Sequence, residues 1–123
     1  FGHTFAHGFE GATNFSKKLN HGEAVLIGMM IASELSVKKK LLPSKELPLI
    51  KKHYHDLKLP MNINKIFKKN QINKIIYFMK KDKKNLNEKI NLILLNKIGK
   101  VNTRKKILLS AKEIRKFLNS YYL

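Results

Sequence analysis

Three histidines stand among the first 21 residues, His3, His7 and His21. Imidazole ligates metals through nitrogen and exchanges protons near neutral pH. His3 and His7 are four residues apart, so on a helix they share a face, about 6 Å from each other and within reach of one ion or one substrate. Glu10 continues that face one turn later. His21 falls where a second helix should begin, beside amides and a dipole that favour an anion, and Glu23 follows in the first turn. The chain has no cysteine, so any metal here is held by nitrogen and oxygen. Spacing alone leaves three readings open. The histidines form one wall of a metal-dependent site, or all three hold a structural zinc ion, or they are ordinary helix residues, with Glu23 only complementing the helix dipole. No zinc signature is complete. His53 and His55 lie on a lysine-rich amphipathic segment and read as surface residues.

The elements that must position these groups follow from apolar periodicity and end signals. A first helix is expected over Thr4–Ala12, then a polar loop to Asn20. A second runs from His21 to about Lys39, with Val25, Ile27, Met29, Met30, Ala32 and Leu35 apolar almost all round, the pattern of a buried helix. Ser44 is expected to cap a third helix through about Leu57, with Pro48 near its first turn. A short helix over Ile63–Lys69 and another over Ile72–Lys81 come next, the latter with Ile72, Ile75, Ile76 and Met79 at helical spacing. The period then changes. Ile90, Leu92 and Leu94 alternate with Asn91 and Ile93, and Val101–Leu108 returns as the second arm of a hairpin turning at Gly99. Ser110, with Glu113 as its capping-box partner, starts a last helix over Ala111–Leu118. The expected fold is mainly α with one small β-hairpin.

The chain has 123 residues, enough for one domain with a modest core. No apolar run approaches the roughly 20 residues that span a bilayer. The absence of cysteine fits a reducing cytoplasm. The net charge of +18 raises nucleic acid as a partner. Arg104 and Arg115 are the only arginines, however, and phosphate and base readers favour the guanidinium fork. Lysine, asparagine and isoleucine are abundant together, as an AT-rich genome would encode. A basic helical nucleic-acid-binding module is therefore the weaker reading. Residues 1–36 are poor in lysine and rich in Gly, His, Ala and Met, so this stretch carries the chemical constraint.

The blocks Phe1 to Glu10 (FGHTFAHGFE) and His21 to Met30 (HGEAVLIGMM), in this order with a short polar spacer, resemble the signature of the 3-dehydroquinate synthase family. Met79 to Lys84 (MKKDKK) and the strand pair from Ile90 to Lys100 resemble the family's downstream elements. Related sugar-phosphate cyclases share the histidine blocks. Ala6 and Gly8 depart from the commoner Gly and Ala at those places, an exchange of small residues. The resemblance implies that residues 1–123 are the helical C-terminal domain of the dehydroquinate synthase-like fold, which binds metal and substrate. It implies conversion of 3-deoxy-D-arabino-heptulosonate 7-phosphate to 3-dehydroquinate and phosphate, with NAD and zinc, or another divalent metal such as cobalt, as cofactors. His3 and His21 match the two metal-binding histidines. His7 matches a histidine that hydrogen-bonds the substrate, and Lys83 or Lys84 a lysine at its phosphate. A glutamate ligand, an asparagine before Phe1 and an N-terminal NAD-binding domain are implied upstream, outside these residues. The chain is expected to be a truncated or split piece of a cytoplasmic homodimer, inactive alone, with apolar surface exposed on the helix after His21.

Overall fold

The computed structural model describes residues 2–13, 19–81, 89–101 and 107–122. Among these residues, five α-helices run in chain order: α1 (His3–Ala12), α2 (His21–Lys38), α3 (Leu47–Asp56), α4 (Ile72–Lys81) and α5 (Ala111–Asn119). Between α4 and α5 the described residues form four short strands, β1 (Lys89–Leu92), β2 (Leu95–Lys97), β3 (Lys100–Val101) and β4 (Ile107–Ser110). The mainly helical expectation with a small hairpin holds. The hairpin is nested: β1 pairs antiparallel with β4, Ile90 opposite Leu109, and β2 pairs with β3 inside it. Gly99 turns the inner pair at φ 83, and the Ile98 amide donates to Glu46 Oε1 at 2.9 Å. Ile90, Leu92 and Leu94 are buried and Ile93 is exposed, as the alternation requires.

α1 is packed between α2 and α4. Its Phe5, Ala6, Phe9 and Ala12 are buried, and the Phe9 ring stacks on Phe67 at 5.4 Å. Gly8 lets α4 approach, since a Cβ there would lie 2.6 Å from Met79 and 2.7 Å from the Ile75 carbonyl. α2 is the central element, with Ile27, Met30, Ile31 and Leu35 buried. It is tied to α3 by the Tyr54 hydroxyl, which donates to the Leu26 carbonyl at 2.6 Å. It is tied to the hairpin by the Leu95 amide, which donates to Ser36 Oγ at 2.9 Å. α4 buries Ile72, Ile75, Ile76 and Met79, and α5 buries Ile114, Phe117 and Leu118.

Three expectations are corrected. Ser44 does not cap α3: residues Ser44–Glu46 form a 3-10 turn and the α-helix starts at Leu47. Pro48 has no N–H to give the Ser44 carbonyl, so α-helical bonding cannot begin until Pro48 sits in the first turn. The helix expected over Ile63–Lys69 is replaced by two 3-10 turns, Ile63–Lys65 and Lys69–Gln71. Lys68 is extended between them, and its amide donates to Gln71 Oε1 at 2.7 Å. Apolar exposure is expected on α2, but its Val25, Leu26 and Met29 are half-buried, and the exposed large apolar side chains among the described residues lie elsewhere: Leu49, Leu57 and Tyr77, and Ile93, Ile98, Val101 and Leu108 of the hairpin region. Among the described residues no helix is long and apolar enough to cross a membrane.

Candidate metal centre

With one face of α1 against α2 and another against α4, a third face carries His3, His7 and Glu10. His3 is exposed, and His7 and Glu10 are half-buried. The first turn of α1 lies directly on α2. A Cβ on Gly28 would meet the Gly2 carbonyl, with the Ala6 nitrogen 3.1 Å away. A Cβ on Gly2, whose φ is 86, would lie 2.8 Å from the Met29 nitrogen. Only a glycine pair permits this approach of backbones, and it seats the His3 turn against α2.

The N-terminus of α2 is held by a capping box. Asn20 Oδ1 accepts from the Glu23 amide at 2.8 Å, and Glu23 Oε1 accepts from the Asn20 amide at 3.2 Å. Glu23 therefore serves the helix end, as its position in the first turn suggested. His21 follows the cap directly and is brought to His3, with ring centroids 6.5 Å apart. Its Nδ1 lies 3.2 Å from each carboxylate oxygen of Glu10. His3 and His21 come together, and Glu10 bridges the two helices. Lys83 and Lys84 lie outside the described residues. His53 and His55 are exposed on α3, as expected of surface residues.

Sequence reasoning placed Glu10 on the histidine face but missed its contact with His21, and it missed Asn20 as the cap. The cap had a readable signal, Asn-x-x-Glu. The Glu10 contact spans 11 residues and depends on how two helices pack.

Two imidazoles on one tetrahedral divalent ion, with metal–nitrogen bonds of ~2.1 Å, place their centroids roughly 5 Å apart. The spacing here is wider by roughly 1–1.5 Å, a gap that rotation of exposed side chains can close. The nitrogen donors suit zinc or cobalt. Among the described residues, no group of three or more His, Asp or Glu is arranged to hold an ion. The pair thus fits as two arms of a centre that needs further ligands.

The fold is shared with solved structures of 2-deoxy-scyllo-inosose synthase. One, complexed with carbaglucose-6-phosphate, NAD+ and Co2+, aligns over 98% of this chain and 32% of its own, with TM-score 0.70 and 21% identity. The family is narrower than that likeness. A model described as 3-dehydroquinate synthase C-terminal matches residues 1–85, and the chain belongs to that family. It is 54% identical over 99 residues to 3-dehydroquinate synthase of Pelagibacter ubique (strain HTCC1062), covering 80% of this chain. It is 40% identical over 100 residues to the enzyme of that name from Endomicrobium trichonymphae, covering 81%. The chain spans about a quarter of the length of these relatives, 27% and 26%.

Proposed function

We propose that this chain is the metal- and substrate-binding part of a 3-dehydroquinate synthase, forming 3-dehydroquinate and phosphate from 3-deoxy-D-arabino-heptulosonate 7-phosphate. The observation that carries the reading is the pairing of His3 with His21 across α1 and α2, inside the segment that the family model matches. His3 and His21 hold the divalent metal, and the remaining ligand comes from a part of the enzyme outside these residues. His7, one turn from His3 on the same face, hydrogen-bonds the substrate. Lys83 or Lys84 meets the phosphate as a compact positive charge. When bound, the metal supplies Lewis acidity toward the substrate hydroxyls and NAD a reversible hydride acceptor. In this reading NAD sits on a separate N-terminal domain, and the complete enzyme is a cytoplasmic homodimer. The high identity to 3-dehydroquinate synthases supports this product over those of related cyclases.

Titration of the chain with Co2+, followed by visible absorption and calorimetry, tests the assignment. Binding should be lost in His3→Ala and His21→Ala and retained in His7→Ala. Equal dependence on all three histidines would favour a structural ion, and dependence on none would remove the metal centre from this face. The chain alone should not turn over substrate with NAD.

A further inference from the structure

Glu10 stands apart from the ligand set, yet it makes a direct polar contact to His21. Both of its carboxylate oxygens lie 3.2 Å from His21 Nδ1. An ionised carboxylate can only accept, so Nδ1 must carry the proton. A neutral imidazole has one ring proton, so its lone pair is then on Nε2. We infer that Glu10 is a positioning residue: it fixes His21 in the Nδ1–H form and presents Nε2 as the metal-binding nitrogen. The inference rests on the reading of His21 as a ligand and adds how that ligand is prepared.

The geometry separates the two nearby carboxylates. Glu23, two residues from His21, is held at the cap by the Asn20 amide. Glu10 comes from the third turn of α1 and is the sheltered partner, its side chain 21% exposed against 68% for His21. The ring is therefore gripped at one nitrogen and open to an incoming ion elsewhere. A carboxylate on the distal nitrogen of a ligating histidine sets the ring orientation and raises its basicity, and its loss typically costs about 10–100-fold in metal affinity. A mere surface ion pair would require a protonated ring with both nitrogens as donors and would leave no tautomer preference once the ring is neutral.

The test uses the full chain labelled with nitrogen-15. Long-range nitrogen–proton spectra are recorded at about pH 9, where an ordinary imidazole is neutral. His21 should be mainly the Nδ1–H tautomer, and Glu10→Ala should lose that preference. Glu10→Gln keeps an acceptor oxygen and should restore much of it. In parallel, Co2+ affinity should fall by about 10–100-fold in Glu10→Ala, with partial rescue in Glu10→Gln. An Nε2–H majority in the parent chain, or equal Co2+ affinity in parent and Glu10→Ala, overturns the proposal. The tautomer of the parent decides the matter even if Glu10→Ala fails to fold. If His21→Ala leaves Co2+ binding unchanged, the ligand reading falls on its own, and the tautomer measurement still reports what Glu10 does to the ring.

Discussion

Gly28→Ala should loosen the contact that brings His3 to His21. The new methyl would lie 3.1 Å from the Ala6 nitrogen and closer still to the Gly2 carbonyl oxygen. That carbonyl already accepts the Ala6 amide at 2.9 Å, the hydrogen bond that opens α1. Both obstacles are backbone, so no side chain can swing aside. Carbon contacts are comfortable at about 3.5–4 Å, so the helices must part by roughly 1 Å. Overpacking of this kind costs about 1–3 kcal/mol, here toward the upper end. Replacing glycine inside a helix returns about 1 kcal/mol. The expected net loss is about 1–2 kcal/mol, or a fall in Tm of roughly 5–10 °C for a domain of this size.

Gly22→Ala is the internal control. It lies in the first turn of the same helix, and its nearest neighbour would be Asn20 Oδ1 at 3.5 Å, an ordinary contact. It should stabilise by up to about 1 kcal/mol. Urea unfolding of both variants beside the parent measures the contrast, and amide shifts around His3 report whether the turn has moved. If Gly28→Ala were as stable as Gly22→Ala, the close approach of α1 and α2 would be wrong, and with it the placement of His3 beside His21.

Burial pushes the Tyr54 phenol up to about 12 and raises Tyr121 and Tyr122 as well. Because the folded value lies above the unfolded one near 10, the stabilisation is full below about pH 10 and is lost as pH climbs through about 12. Unfolding followed across that window should show a steeper loss in the parent than in Tyr54→Phe, which at neutral pH gives up the bond to Leu26 at a cost of about 0.5–1.5 kcal/mol. Lys40 and Lys58 sit in left-handed backbone at φ 61 and φ 55. Lys40→Gly and Lys58→Gly should each gain about 0.5–1 kcal/mol in urea melts, and a loss would show that these lysines are held by more than the turn.

What could be read from the chain was whatever a local window contains. The apolar spacing of Ile72, Ile75, Ile76 and Met79 marked α4 with the bounds it has, Ile72–Lys81. Ser110 and Glu113 marked the start of α5, where the Glu113 amide donates to Ser110 Oγ at 3.2 Å. The alternation around Ile90 marked the hairpin, but not its two ladders, nor the register shift between Leu95 and Lys97 within the inner one. Errors arose where one residue's backbone chemistry outweighed the pattern, at Pro48 and at the extended Lys68. In the candidate site, the face shared by His3, His7 and Glu10 was legible because it is one helix. The partnership of Glu10 with His21 was not, because it is set by two helices meeting at Gly2 and Gly28.

Those glycines and the two strained lysines separate drift from constraint in a lysine-rich chain. After α2, the Leu41 amide reaches back to the Ser36 carbonyl at 2.9 Å. After α3, the Leu59 amide reaches back to Tyr54 at 2.8 Å. Both are helix ends whose left-handed residue is usually glycine. Lysine occupies both, at a strain of roughly 1–2 kcal/mol each, and the fold tolerates it because the side chains point into open solvent. At Gly2 and Gly28 the same exchange would set a Cβ against backbone atoms, where no rotamer offers relief. Lysine enrichment can therefore spread wherever its cost is only conformational. It stops where a side chain would separate α1 from α2 and carry His3 away from His21.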